Sequence, residues 1–257
     1  MSEGRVHYSK SGGVASALFD RPEARNAMTW AMYAELATAC DAIAADPEVR
    51  VAVFRGAGGA FVAGTDIQQF TSFSSGEDGI AYERKIDASI GQIERLPKPV
   101  IAVVQGVCAG GGLAIAMACD FRIATPDARF GVPIARTLGN CLSVGNVARL
   151  IAHFGPGRTK RILMLAELIS AEEAQSCGFV SAIASPETLE EKVDTMCRRL
   201  IGHAPLTMYA AKESVRRSTA EHLPEGDDLI RKIYGSADFK EGVEAFLAKR
   251  TPDWKGR

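Results

Sequence analysis

The chain has 257 residues, 47% of them hydrophobic, which is length for one large domain or two small ones and enough apolar content for a substantial core without staples. Its 30 Lys and Arg balance 31 Asp and Glu, and a net charge of -1 excludes a global field for attracting nucleic acid or an anionic membrane. With 24% charged residues, 25 glycines, 11 prolines and no long polar tract, a linker or disordered tail is excluded as well.

Val14 to Phe19 predicts a strand, and Arg21-Pro22-Glu23-Ala24-Arg25-Asn26 a loop that hands over to a helix capped near Thr29. Met32, Leu36, Cys40 and Ile43 share one face of that helix. Val51 to Phe54 reads as a second buried strand, ending in Gly56-Ala57-Gly58-Gly59 and followed by Phe61-Val62-Ala63-Gly64-Thr65-Asp66-Ile67. Residues 71–79, rich in Ser, Gly, Glu and Asp, predict a mobile loop, and a helix follows from about Tyr82 to Glu94. Pro97 and Pro99 punctuate the entry to a strand at Val100 to Val104, which runs through Gln105-Gly106-Val107-Cys108-Ala109 into Gly110-Gly111-Gly112.

A helix of small residues continues from Leu113 to Ala118. The apolar stretch from Val100 to Cys119 contains four glycines and ends at Asp120 and Arg122, which fits a buried strand and helix and not a membrane span. Asp120 to Ala124 predicts another strand. Phe130-Gly131-Val132-Pro133 opens an irregular segment lasting to about Ser143, and a loop that long in a compact domain points to function. From Leu150 the pattern is helical, with a capping box at Ser170 and Glu173, a C-cap glycine at Gly178, and helices near 187–201, 205–218 and 237–248.

The six cysteines (Cys40, Cys108, Cys119, Cys141, Cys177 and Cys197) form no CxxC pair, and the chain opens on no secretory leader. The expectation is reduced thiols in a cytoplasmic protein. His7, His153, His203 and His222 lack metal-ligand spacing, so no metal is expected. Gly56 and Gly58 begin a dinucleotide fingerprint that Phe61 breaks, Gly110 and Gly112 run into Ile115, and no Walker-type phosphate loop is present. A nicotinamide-dependent oxidoreductase is disfavoured accordingly. What remains is two strand-to-helix turns, at Ala63 to Asp66 and at Gly110 to Gly112, each offering amide donors. Alone, the glycines read better as a device for close packing than as an anion site; if the two turns converge, they form an oxyanion hole.

The segments at 21–27, 61–67 and 105–112 resemble, in order and spacing, the crotonase family of enoyl-CoA hydratases and isomerases. The likeness extends through Cys119-Asp120-Phe121-Arg122-Ile123-Ala124, Phe130-Gly131-Val132-Pro133, Ile169 to Ala174 and Glu241 to Phe246, nearly the whole chain. The resemblance implies an α/β fold, a crotonase-like spiral of strand-strand-helix units with a helical C-terminal part. It divides into an acyl-CoA-binding core over 1–200 and a helical subdomain over 201–257. It also implies a homotrimer or homohexamer, an acyl-CoA substrate, and no separate cofactor, because coenzyme A is part of the substrate. Carried over by position, the amides of Thr65 and Gly111 are the catalytic oxyanion hole. Arg25, Ala63, Gly64, Asp66, Ile67 and Gly110 contact the substrate, with Arg25, Ala63, Asp66 and Ile67 near the coenzyme's adenine end.

The sequence departs from the family's hydratases at two positions. Their paired glutamates, which handle water and proton, correspond here to Ala114 and Ile134, neither of which can exchange a proton. Arg136, Thr137, Asn140, Cys141 and Ser143 offer polar replacements on the irregular segment. Thr137, Cys141 and Ser143 read better as local structure, whereas Arg136 and Asn140 stand equally as substrate-binding groups and as a surface charge and a turn residue. Asp66 and Asp120 read as ties for backbone amides or partners of a base such as Arg122, and Glu77, Asp78 and Glu83 as solvated acids. Lys240, Lys249 and Arg250 are open to both surface charge and coenzyme phosphates. The resulting expectation is an acyl-CoA-processing enzyme that stabilises a thioester enolate without the usual glutamates; the alternative is a non-catalytic acyl-CoA-binding or assembly subunit.

Overall fold

The computed structural model describes residues 3–220 and 226–255. An edge hairpin, β1 (Arg5–Ser11) and β2 (Val14–Asp20), leads through a 3-10 turn at Pro22–Ala24 to α1 (Trp30–Ala45). Next come β3 (Val51–Gly56), a 3-10 turn at Ile67–Phe70, α2 (Gly76–Glu94), β4 (Val100–Val104), β5 (Val107–Ala109) and α3 (Gly111–Ala118). Then β6 (Phe121–Ala124), β7 (Arg129–Gly131), α4 (Ile134–Thr137), α5 (Val144–Met164), β8 (Leu168–Ser170), α6 (Ala171–Ser176) and β9 (Ala182–Ile183) follow. Four helices close the chain: α7 (Leu189–Ile201), α8 (Pro205–Ala220), α9 (Asp227–Tyr234) and α10 (Ala237–Leu247).

One sheet has the order β1-β2-β3-β4-β6-β9, antiparallel only between β1 and β2; a second has the order β5-β7-β8. This is the mixed α/β spiral expected. The parallel strands are buried on both faces, and the two-residue period of a strand divides their side chains between two cores. Ala52, Phe54, Ala102 and Val104 join α1, α2 and α3 on one side, while Val51, Val53, Ile101 and Val103 meet Leu189, Val193 and Cys197 of α7 on the other.

The local signals act as their chemistry requires. The Thr29 hydroxyl caps α1 by accepting from Met32 N–H, and Met32, Leu36, Cys40 and Ile43 are all buried. Gly178, at φ +82°, follows the C-cap of α6. Ser170 caps α6 as predicted, but the Glu173 carboxylate pairs with Arg158 and Arg161, so the reciprocal half of the capping box is replaced by ion pairs.

Three expectations are corrected. Residues 71–79 are not wholly a loop: Ser75 and Asp78 form a capping box that starts α2 at Gly76. The segment from 130 to 143 is interrupted by the end of β7 and by α4. Helical structure resumes at Val144, capped by Ser143, and α5 breaks at Gly155 just before Pro156. Finally, β1 and α9 carry no prediction, β1 because Val6 is its one buried side chain. Among the described residues no helix is long and apolar enough to cross a membrane.

Candidate active site

Backbone pairing draws the two glycine-bearing turns together. Asn26, buried at φ +58°, accepts from Arg21 N–H through its side-chain oxygen and donates to the carbonyls of Ala57 (2.9 Å), Ala60 (2.8 Å) and Phe61 (3.1 Å). Residues 25–28 then zip onto 63–66: Ala63 N–H donates to Arg25 O, Met28 N–H to Gly64 O and Asp66 N–H to Met28 O. Across the next seam Val62 bridges Cys108 in parallel fashion, with Ala109 N–H on Val62 O at 3.0 Å. Gly112 makes the approach possible, since a Cβ there would lie 2.0 Å from Val62 O. Gly110, at φ +51°, turns the chain into α3.

Gly111 is the first residue of α3, so its N–H has no acceptor within the helix. A methyl group placed on Gly111 would lie 3.7 Å from the Thr65 nitrogen, 3.0 Å from Thr65 Oγ1 and 2.5 Å from the Tyr33 hydroxyl. The turns therefore converge. Thr65 Oγ1 is hydrogen-bonded to the Tyr33 hydroxyl at 2.9 Å and to the Tyr82 hydroxyl at 3.0 Å. Burial pushes Tyr33 up to about 12 and carries Tyr82 well above the ordinary tyrosine value, so both stay protonated. The Tyr82 ring packs among Trp30, Phe70, Phe73 and Tyr234. Ala114, 5% exposed, and the half-buried Ile134 add apolar surface to this neighbourhood.

Behind the aromatic cluster lies an acid that sequence reasoning treats as solvated. Glu83 is 2% exposed, accepting from Ser143 N–H and from the Tyr234 hydroxyl, each at 2.8 Å. Burial is the main reason its carboxyl rises to about 7, opposed by these hydrogen bonds. A carboxyl raised from 4.5 to about 7 stabilises the fold fully below pH 4.5 and loses that contribution, about 3 kcal/mol, as pH climbs through 7. His153, which burial lowers from 6.5 to about 4, acts oppositely: its contribution is present above pH 6.5 and lost as pH falls through 4. The two slopes offset each other between pH 4.5 and 6.5. Glu83→Gln, an isostere of the protonated acid, should therefore leave urea unfolding at pH 4.5 unchanged and raise its midpoint at pH 8. Equal shifts at both pH values would refute the assignment.

Of the predicted site residues, Arg25, Ala63, Gly64, Thr65, Asp66, Ile67, Gly110 and Gly111 are brought into one contiguous region by the pairings above. The Arg25 side chain is exposed at its edge. Asp66 plays the structural part: it pairs with Arg21 at 2.8 Å and accepts from Gln68 N–H. Arg136 is exposed on α4, and among the described residues no hydrogen bond joins it to the two turns. Asn140 donates to the Tyr234 hydroxyl at 3.1 Å, while its side-chain oxygen is buried without a partner.

The remaining candidates separate as follows. Thr137 and Ser143 bond nearby backbone, as expected. Asp120 ties Val100 N–H, as expected, but its ion pair is with Lys212 at 2.8 Å and not with Arg122, which donates to the Asp120 carbonyl. Glu77 pairs with Arg231, and Asp78 caps α2. Arg250 pairs with Glu241. His7 meets Asp20, His153 is half-buried and hydrogen-bonded to Met117 O, and His222 lies outside the described residues. A cavity of about 810 Å3 opens elsewhere, between α3, α5, α7 and α8, and neither Thr65 nor Gly111 lines it.

Comparison with known proteins identifies the family. The profile of the enoyl-CoA hydratase/isomerase family matches residues 9–257. A crotonyl-CoA hydratase of Syntrophomonas wolfei is 34% identical over 97% of this chain and 97% of its own length. A 2,3-dehydroadipyl-CoA hydratase of Escherichia coli K12 is 32% identical over 93% of each. Among solved structures, a methylmalonyl-CoA decarboxylase in complex with 2-nitronate-propionyl-CoA superposes with a TM-score of 0.90 at 26% identity, covering 100% of both chains. A match over nearly the whole length, together with a relative 34% identical, places this chain in the enoyl-CoA hydratase/isomerase family.

Proposed function

We propose that the chain acts on an acyl-CoA thioester, holding the developing enolate oxygen between the backbone N–H groups of Thr65 and Gly111. The contact between these two residues is the observation that carries the reading. Fixed amide dipoles stabilise an oxyanion without reorganising, and each such donor is worth ~10²-fold or more in rate. Arg25, Ala63, Gly64, Asp66, Ile67 and Gly110 border the thioester and the coenzyme, which needs no further cofactor. Arg136 and Asn140 serve the acyl end, and the working form is a homotrimer or homohexamer.

Ala114 and Ile134 narrow the reaction, because an enolate must form here without a carboxylate base at either place. Loss of CO2 from a 2-carboxyacyl thioester meets that requirement. The bond to the carboxylate breaks, its electron pair becomes the enolate, CO2 departs, and a proton is added afterwards. The full-length likeness to a methylmalonyl-CoA decarboxylase supports this choice, and the two apolar positions weigh against hydration. The same two apolar positions also favour a second reading, an acyl-CoA-binding or assembly subunit without chemistry. Offering 2-carboxyacyl and 2-enoyl thioesters of coenzyme A separates the possibilities. CO2 release without hydration is expected, hydration alone would replace the decarboxylation reading, and binding without turnover would establish the subunit.

A further inference from the structure

An enolate left by CO2 must acquire a proton, and positions 114 and 134 supply none. Three hydroxyls meet beside the Thr65 and Gly111 amides: those of Tyr33, Thr65 and Tyr82. They carry three protons and share two hydrogen bonds, so one proton is left over in every arrangement. Burial decides where it goes. Tyr33 is 2% exposed and Thr65 is 8% exposed, and no other hydrogen-bond partner of either hydroxyl is present among the described residues. A buried hydroxyl hydrogen without an acceptor is unfavourable, so Tyr33 donates to Thr65 and Thr65 donates to Tyr82. Tyr82 alone of the three keeps partial exposure, and its proton is the one left to give. Its ring lies in the apolar cluster that also contains Ile134.

We infer that the Tyr82 hydroxyl is the catalytic proton donor to the enolate carbon, with Tyr33 and Thr65 as positioning residues that direct its proton outward; this rests on the reading of Thr65 and Gly111 as the enolate site. In the step, the Tyr82 O–H bond breaks and its proton forms the new C–H bond with the electron pair of the enolate C=C. The thioester carbonyl is restored, and the phenolate regains a proton from solvent once product leaves. Because the phenol holds its proton until a strongly basic carbon appears, the substrate's own carboxylate does not take it.

The test is turnover of methylmalonyl-CoA in D2O, reading both kcat and the configuration of the monodeuterated C2 of the product. Wild-type protein should place deuterium on one face. Tyr82→Phe should lower kcat by ~10²-fold or more and scramble that configuration, since the enolate is then quenched by unoriented solvent. Tyr33→Phe, which leaves the Tyr82 hydroxyl in place, should lower kcat by no more than about tenfold and keep the configuration. If Tyr82→Phe fails to fold, Thr65→Val carries the test by removing the partner that orients Tyr82: scrambling is expected, with Thr65→Ser restoring one face. Tyr82→Phe protein that deuterates one face at the wild-type rate overturns the inference and leaves the enolate site standing. Wild-type protein that turns over no 2-carboxyacyl thioester overturns both the inference and the decarboxylation reading on which it rests.

Discussion

Gly111→Ala is expected to lower kcat/KM for any accepted thioester by ~10²-fold or more while the protein stays folded. The added methyl would sit 2.5 Å from the Tyr33 hydroxyl and 3.0 Å from Thr65 Oγ1, both side-chain atoms that can yield only by moving the hydroxyl chain and the turn that presents the Thr65 amide. Gly111 has no left-handed backbone to lose, and alanine is the better helix former by about 1 kcal/mol, which offsets part of the steric strain. Catalysis and stability should therefore separate at this position. Gly112→Ala behaves differently, because its methyl would meet the Val62 carbonyl at 2.0 Å and backbone cannot swing aside. Thermal unfolding measured beside turnover distinguishes the two, and Gly111→Ala protein with undiminished turnover would remove the oxyanion hole from consideration.

Arg122→Met should destabilise the protein by about 4 kcal/mol, a fall in Tm of roughly 10 °C for a chain this size. Arg122 is 5% exposed and has no carboxylate partner among the described residues; its guanidinium instead donates to the carbonyls of Ala116, Cys119, Asp120 and Phe179 and lies over the Phe179 ring. Two of those carbonyls belong to the last turn of α3 and its C-cap, where a cation also opposes the helix dipole. Methionine fills the space and leaves the carbonyls bare. Lysine cannot restore the pattern, since one ammonium lacks the planar fork that reaches four acceptors in two segments. Because α3 carries Gly111 at its other end, surviving Arg122→Lys protein should also show a reduced kcat. Calorimetry on both variants checks the prediction, and a loss under about 1 kcal/mol for Arg122→Met would contradict it.

Elements whose signals are local could be read without the structure. Thr29 before an apolar face, Ser170 at the start of α6, and prolines ahead of β4 each act through neighbours a few residues away, and all behave as their types dictate. The two turns were legible through the family resemblance of their residues, because glycines at strand-to-helix junctions serve close packing as readily as anion binding; their convergence depends on Asn26 and on the pairing of Val62 with Cys108. What escaped was set by distance along the chain. Glu83 looks like one more acid beside a polar stretch until Tyr234, 151 positions later, folds over it. Tyr33 and Tyr82 carry no mark of their role in composition or period, since each acquires it from Thr65. The start of α2 was hidden by the Ser, Gly and Asp that favour turns and helix caps alike.

The pairing of Val62 with Cys108 has a consequence for how such a protein diversifies. It fastens the two turns through main-chain atoms, so the amides proposed to polarise a carbonyl are held without help from the side chains at 82, 114, 134 or 140. Mutational drift at 82, 114, 134 or 140 can exchange one way of moving a proton for another while the polarising pair is inherited intact, and a lineage can thus change its reaction without rebuilding its scaffold.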